Sequence, residues 1–176
     1  MILRNVIVGL ILGILAYIAS VYIGGKIVGS YSGLSDLYRS SMRGYFFSAF
    51  LGISSFLLSL LTFVVINLKE KMFDSEDYKK IYIKHKQLNA GDEIKKHDLY
   101  KPLVVITTML VFSISCSILT SILQFTLGLS SNCWILIIPT LTPFIAISFM
   151  VLSLYQMSQL IFQWLRSEDV IKYLDR

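Results

Sequence analysis

The sequence predicts an all-α integral membrane protein, a bundle of four transmembrane helices with short amphipathic cytoplasmic helices. Of its 176 residues, 55% are hydrophobic and only 15% are charged, and the mean hydropathy is +0.69. A soluble domain normally has about a quarter of its residues charged. The charges are also absent from three long stretches, residues 5–25, 44–68 and 102–165.

These uncharged stretches have the lengths that membrane crossings require, since about 20 apolar residues span the hydrocarbon core. The first two fit one crossing each and the third fits two. The predicted crossings are therefore residues 5–25, 44–68, 102–126 and 134–160 of a single membrane domain covering residues 1–176. The first stretch is longer than the apolar core of a signal peptide and lacks a small-x-small cleavage site, so a transmembrane helix is preferred there.

Lysine and arginine predict which way the helices point. Arg4, nine lysines between residues 69 and 101, and the basic residues of the 166–176 tail fall on one side of the predicted membrane. By the positive-inside rule, both termini and the 69–101 loop are cytoplasmic. The 25–43 segment holds few basic residues and is rich in Gly, Ser and Tyr, which predicts an irregular external loop.

Two cytoplasmic segments are predicted to form amphipathic helices that dock a soluble protein. In the 69–101 loop, Asp74 or Ser75 caps a helix that ends near residues 89–91, and a second short helix covers residues 92–101. The tail continues the apolar stripe of the fourth crossing. The alternative is that these helices only pack against each other beneath the membrane. The predicted docking residues are Tyr78, Ile81, Tyr82, Leu88, Trp164 and Leu165.

Small residues recur at helical spacing along the first two crossings. Lipid tails are as apolar as leucine, so membrane helices associate by close backbone packing, which small residues four apart permit. The stripes predict packing of the first crossing on the second, an interface between copies in a homo-oligomer, or both. The residues are Gly9, Gly13, Ala16, Ser20 and Gly24 in the first crossing, and Ser48, Gly52, Ser55 and Ser59 in the second.

A polar stripe runs along the third crossing. Its hydroxyl and amide side chains must face protein or water rather than lipid. Hydroxyls can also line a conducting path, so a homo-oligomeric pore or a membrane-disrupting effector is the alternative function. The stripe consists of Ser113, Ser117, Thr120, Ser121 and Gln124.

Two prolines, Pro139 and Pro143, interrupt the fourth crossing. Each removes a backbone donor and frees the carbonyl four residues earlier, and Thr140 and Thr142 are close enough to help satisfy such groups. The preferred interpretation is that Thr142-Pro143, or the neighbouring Pro139, marks an irregular helix start near the external face. In the other interpretation, the helix starts near Trp134 and kinks at the prolines. The two prolines form a gate only if a pore exists.

Residues that catalysis and ion coupling need are missing from the crossings. No Asp, Glu, Lys, Arg or His lies inside them, which weighs against proton-coupled transport. The two histidines, His85 and His97, match no zinc spacing, and Cys116 and Cys133 form no disulfide or metal pattern. We therefore expect no enzyme activity, cofactor or metal. The mixed charges of the cytoplasmic loop argue against a direct nucleic-acid partner.

The architecture resembles the small membrane subunits of bacterial anti-phage systems. Four short crossings without intramembrane charge and a lysine-rich cytoplasmic loop are similar to the Kiwa membrane subunits, which work with a soluble DNA-binding partner. The resemblance spans the whole chain but includes no motif, so it carries over no functional residue. It implies a sensor of membrane stress or infection in the bacterial inner membrane that acts through a cytoplasmic partner. Immunity proteins and holins share this outline too. The expected partners are the lipid bilayer, further copies of the chain and a soluble cytoplasmic protein.

Overall fold

The computed structural model describes the backbone of residues 2–86 and 99–174, and the side chains of the last helix as far as Phe162. Four of its helices are long and apolar enough to cross a membrane, and no strand occurs in the described ranges, which confirms the all-α prediction. The helices are α1 (Ile2–Val28), α2 (Tyr31–Leu37), α3 (Arg43–Phe63), α4 (Glu76–Lys86), α5 (Lys101–Phe125) and α6 (Cys133–Leu174).

The 25–43 segment is helical, so the prediction of an irregular loop was wrong. A turn at Gly29, whose φ of 79° favours glycine, separates α1 from α2. Ser30 caps α2, its Oγ accepting a hydrogen bond from the backbone N–H of Gly33 at 3.0 Å. A π-helical segment, Tyr38–Met42, then joins α2 directly to α3. The Ser and Gly residues that suggested a long loop serve here as one cap and one tight turn.

A second π-helical segment, Val64–Phe73, extends α3 towards α4. Ser75 precedes α4, and its Oγ accepts a hydrogen bond from the backbone N–H of Tyr78 at 3.2 Å, as the cap prediction requires. The predicted helix end at residues 89–91 lies outside the described residues. So does all but the end of the second short helix predicted for residues 92–101.

The four long helices pack in an open row, in the order α3, α5, α6, α1. The α5 helix packs against α3 on one side and α6 on the other, and α1 packs against the far side of α6. Half of the most apolar window of α5 is buried, compared with 22% in α3 and 11% in α1. The α1 and α3 helices therefore form the two edges of the row, and each exposes a wide face.

The main apolar core lies where α3, its π-helical extension and α5 meet. Leu57, Phe73 and Leu110 are fully buried there, and Met157 of α6 packs against them. Phe73 brings the core to the end of the bundle at which α1 and α5 begin, which we call the terminal end. The connection end is the other end, formed by α2, the Tyr38–Met42 segment and the turn between α5 and α6.

The glycines of α1 allow it to approach α6 closely. A Cβ atom added at Gly9 would lie 2.7 Å from Cε1 of Phe149, and one added at Gly13 would lie 2.8 Å from the Cα of Ile145. These glycines lie at a helix contact, as their spacing predicts, but the contacted helix is the fourth crossing rather than the second. Spacing identifies the face that packs, whereas the choice of neighbour depends on the whole bundle.

Replacing Gly13 with alanine should destabilise the fold. The new Cβ would meet the backbone of Ile145, which no side-chain rotation can relieve, so α1 and α6 must separate at a cost of about 1–3 kcal/mol. Thermal unfolding in detergent, followed by circular dichroism, measures the effect. Gly44→Ala is the matched control at a detergent concentration that keeps the chain monomeric, because no described atom of the same chain lies within 4 Å of its Cβ position. Equal unfolding midpoints for the two variants would contradict the contact.

Candidate functional site

A buried amide, that of Gln124 near the end of α5, is the centre of a polar network at the connection end. Its side chain has no exposed surface. The Oε1 atom accepts a hydrogen bond from the hydroxyl of Tyr38, and Nε2 donates one to the backbone carbonyl of Pro139. One side chain therefore joins three segments of the fold: the first π-helical segment, α5 and α6.

The carbonyl of Pro139 is the one that Pro143 deprives of its helical partner. In an uninterrupted α-helix this oxygen would accept from the N–H of residue 143, which a proline lacks. Gln124 supplies the missing donor, and Oγ1 of Thr142 lies 3.5 Å from the same oxygen. Inside a bilayer no water is present to replace a lost partner, and an unsatisfied backbone group costs several kcal/mol. The network therefore supplies the donor that α6 lacks at Pro143.

The preferred interpretation of the prolines as a helix start was wrong. The α6 helix begins at Cys133, and both prolines lie buried inside it. Asn132 caps the helix, its Oδ1 accepting from the backbone N–H of Trp134 at 3.0 Å, so the alternative start near Trp134 is correct. The sequence signal for this helix start is Asn132, because asparagine is a favoured N-cap residue. The two prolines draw attention away from it.

The α1 helix also reaches the proline pair. The hydroxyl of Tyr17 lies 3.2 Å from Oγ1 of Thr140, and its ring packs edge-on against Phe144 at a centroid distance of 5.8 Å. A cavity of about 150 Å³ lies beside these residues and is also lined by Leu34 and Tyr38. This pocket is open to the surface, so it leaves space beside α2 where the network begins.

The polar stripe of α5 faces inward, as predicted. Ser113, Ser117 and Thr120 have no exposed surface, and Ser121 is 2% exposed. The Ser121 hydroxyl donates to the carbonyl of Phe47 in α3 at 3.3 Å, whereas those of Ser113 and Ser117 have no partner among the described atoms. The stripe lies at helix contacts within one chain, so a water-filled path along it would require the helices to separate.

Two arginines connect the segments of the connection end. The Nη2 atom of Arg39 donates to the carbonyl of Ser131 at 2.7 Å, and Nη1 of Arg43 lies 3.5 Å from the carbonyl of Gly128. Both acceptors belong to the turn between α5 and α6. These contacts hold the π-helical segment after α2 against the turn that leads into α6. Sequence reasoning misses them because contacts between distant loop residues produce no periodic pattern.

The small-residue stripe of α3 is exposed along its length. No described atom lies within 4 Å of a Cβ added at Gly44 or Gly52. The serine hydroxyls of the stripe bond to carbonyls of their own helix at 3.1–3.2 Å, so this face needs no polar partner. In α1, Gly24 meets Leu34 of α2, with 3.1 Å between its Cβ position and Cδ1. The exposed predicted residues are Ser48, Gly52, Ser55 and Ser59 in α3, and Ala16 and Ser20 in α1.

The predicted docking residues have different surroundings. Tyr78 is half-buried and packs edge-on against Phe73 with ring centroids 4.9 Å apart, and its burial raises the pKa of its phenol. Docking by Tyr78 stays a prediction. Tyr82 is half-buried on α4. The backbone at residues 164 and 165 is part of α6. Docking stays a prediction for the positions whose side chains lie outside the described set: Ile81, Leu88, Trp164 and Leu165.

Neither metal chemistry nor similarity to other proteins identifies the function of this bundle. No three of the described His, Cys, Asp and Glu side chains lie close enough together to hold a metal ion. No protein-family model matches the chain, and neither a curated protein nor a solved structure shows significant similarity to it. The function is therefore inferred from the geometry of the polar network and of the exposed helix faces.

Replacing Gln124 with leucine should destabilise the bundle through the carbonyl of Pro139. The variant leaves that oxygen without its donor and the Tyr38 hydroxyl without its acceptor, at a cost of about 1–3 kcal/mol for each buried group. In a Pro143→Ala background, the alanine N–H can bond the same carbonyl, so Gln124→Leu should cost about 1 kcal/mol less there. Unfolding free energies of the four proteins in this cycle measure the coupling.

Tyr38→Phe is the matched control for this cycle, because it removes only the hydroxyl that donates to Gln124. It should cost less than Gln124→Leu, and its cost should be the same with proline or alanine at position 143. Coupling between Gln124→Leu and Pro143→Ala below about 0.5 kcal/mol, the usual limit of additivity, would show that Gln124 does not replace the missing helical donor.

Proposed function

We propose that the protein is a non-enzymatic, oligomeric sensor and anchor of the bacterial inner membrane that docks a soluble cytoplasmic partner. Both termini lie in the cytoplasm in this proposal, so the terminal end faces the cytoplasm and the connection end faces outward. The role in anti-phage defence follows the resemblance to the membrane subunits of such systems. The observation that carries the proposal is the link from the connection end to α6 through Gln124.

The link gives a route from one side of the membrane to the other. Tyr38 follows α2 directly, and its bond to Gln124 leads to the carbonyl of Pro139 within α6. The α6 helix has 42 residues, which corresponds to about 63 Å at 1.5 Å per residue, compared with about 30 Å for the hydrocarbon core. A shift of α2, for which the adjoining cavity leaves room, would reach the segment of α6 that contains Trp164 and Leu165.

The terminal end provides a structured layer on which a soluble partner can bind. The ring of Phe73 packs with Tyr78 of α4 and with Tyr100 at the start of α5. The hydroxyl of Tyr100 donates to Asp74, and this bond raises the pKa of the phenol. These contacts fix α4 against the bundle. The half-buried Tyr82 and the predicted Ile81 and Leu88 then supply the docking surface.

Assembly of several copies is supported by the exposed face of α3. Its glycines permit close approach of another helix, and its serine hydroxyls are already bonded within α3. Within a membrane, close packing of small residues is a main source of helix association. The alternative, a homo-oligomeric pore, has less support, because Ser117 and Thr120, which would line it, have no exposed surface in one chain.

Substituting the docking face of α4 should remove the soluble partner. Purification from the native host in mild detergent, followed by mass analysis of co-eluting proteins, compares the intact chain with an Ile81→Ser, Tyr82→Ser and Leu88→Ser variant. Loss of three apolar anchors, each worth about 1–2 kcal/mol, should reduce the bound partner at least tenfold. Glu76→Ser is the control, because this exposed residue of α4 is not part of the predicted docking face.

A homo-oligomer without any soluble partner, in the intact chain and the variant alike, would contradict the docking proposal. The pore would then be tested by ion flux from liposomes containing the protein. Flux that Ser117→Leu or Thr120→Leu blocks would establish the pore in its place. A partner lost equally from the Glu76→Ser control would mean that α4 contributes through its stability rather than through the proposed face.

A cysteine at Ser55 should form disulfides between copies in the membrane. Cys116 and Cys133 are first replaced with alanine, so that the new thiol is the only one. Because α3 of one copy meets α3 of another in this proposal, oxidation of membranes should give a covalent dimer on non-reducing gels. Leu119→Cys, an outward position on α5 with 51% exposure, is the control and should cross-link several-fold less. Equal cross-linking at both positions would indicate random collision and refute the interface.

A further inference from the structure

A cleft at the terminal end lies between α1 and α5, which have few contacts with each other, and its floor is α6. Its volume is about 360 Å³. At about 30 Å³ per water molecule, this space holds about a dozen waters, or a polar headgroup with a few methylene groups. The position is fixed by Pro102 at the start of α5 and by Arg4 in the first turn of α1.

The deeper walls of the cleft are apolar. Val105 and Ile106 of α5 face Leu152 and Leu160 of α6 across it. The cleft lies where the uncharged stretches of the sequence give way to charged residues, which is the level of lipid headgroups for a helix that crosses a membrane. Tyr155, 60% exposed at the rim, is a residue type that favours this level. A ligand here has both water and hydrocarbon within reach.

Half of the described residues that line the cleft are polar: Arg4, Asn5, Tyr155, Gln156 and Gln159. Arg4 supplies the one formal charge among the described lining residues, and no described carboxylate lies within ion-pair distance of its guanidinium. The Oε1 atom of Gln156 is buried and has no hydrogen-bond partner among the described atoms. A buried acceptor without a partner has lost its hydrogen bond to water and gained none in return, which costs free energy. The cleft therefore presents a cation for an anion and an amide for a hydroxyl.

We propose that the cleft binds one phospholipid that has an anionic phosphodiester and a hydroxyl-bearing headgroup, of which phosphatidylglycerol is the simplest. The phosphate binds the guanidinium of Arg4, which matches its oxygens with charge-assisted hydrogen bonds. A headgroup hydroxyl, which can both donate and accept, bonds the amide of Gln156. The acyl chain lies along Pro102, Leu152 and Leu160, which are half-buried, whereas Val105 and Ile106 behind them are already buried. This inference goes beyond the proposed sensor role and does not depend on it.

A lipid fits the cleft better than a small soluble anion does. A free phosphate would satisfy Arg4 but leave the apolar walls in contact with water, at about 25 cal/mol for each Å². A zwitterionic choline headgroup carries the phosphate but has no hydroxyl or N–H to offer Gln156. The combination of one cation, one unpaired amide and an apolar wall is complementary to an anionic lipid with a hydroxyl.

The test uses the full chain in mild detergent and native mass spectrometry. The protein is mixed with phosphatidylglycerol, phosphatidylcholine and phosphatidylmethanol, the last having the same phosphodiester charge without headgroup hydroxyls. Bound phosphatidylglycerol should exceed phosphatidylcholine by about tenfold, as expected for one charge-assisted contact. Arg4→Gln should reduce that preference to the part that the headgroup hydroxyl contributes. Gln156→Leu should remove the preference for phosphatidylglycerol over phosphatidylmethanol and leave the preference over phosphatidylcholine.

Lys26→Gln is the matched control, since it removes a cation from the other end of α1, where Lys26 lies 4.5 Å from the ring of Tyr22. It should retain the full preference for phosphatidylglycerol. Equal retention of all three lipids by the intact chain, or an unchanged preference in Arg4→Gln, would overturn the proposal. Thermal unfolding separates a lipid from a soluble anion: glycerol phosphate that raises the midpoint as much as phosphatidylglycerol at equal concentration would also overturn it.

Discussion

A backbone carbonyl inside a bilayer has no water to bond with, and Pro143 takes the helical donor away from the carbonyl of Pro139. The amide of Gln124 replaces that donor and, with its other end, accepts from Tyr38. The arrangement of the connection end depends on these two hydrogen bonds. The bond to Pro139 places the end of α5 against the proline pair, and the bond to Tyr38 places the segment after α2 against Gln124. A single unsatisfied group thus constrains three helices.

The open row of helices determines which surfaces remain exposed. With α5 and α6 in the middle, α1 and α3 each have one neighbour among the long helices. Gly9 and Gly13 of α1 pack against α6 and Gly24 packs against α2, whereas Ala16 and Ser20 of the same stripe are exposed. In α3, no described atom lies near the Cβ positions of Gly44 and Gly52. The stripe of α3 is therefore exposed along its length, and the stripe of α1 only in part.

The two ends of the bundle differ in their chemistry. At the connection end, buried hydrogen bonds between neutral groups and two arginine contacts to carbonyls join α2, α5 and α6. At the terminal end, the helices spread apart around a cleft that contains Arg4 and the unpaired amide of Gln156. The α6 helix runs continuously between these regions. A molecule bound in the cleft and a displacement of α2 would therefore act on the same helix from opposite ends.

The sequence by itself determined the four apolar helices, the inward direction of the α5 stripe and the Ser75 cap, because hydropathy, periodicity and capping are properties of neighbouring residues. Only the tertiary structure decided which helix α1 packs against, that the prolines lie within α6 and that residues 25–43 are helical. It also paired Tyr38 with Gln124, 86 residues further along the chain. The partner of α1 and the bond between Tyr38 and Gln124 depend on which distant group satisfies a buried surface or carbonyl, and local patterns carry no information about that choice. The start of α6 and the helical form of residues 25–43 do have local signals, the Asn132 cap and the turn at Gly29 with the Ser30 cap, but hydropathy and the prolines favoured another interpretation.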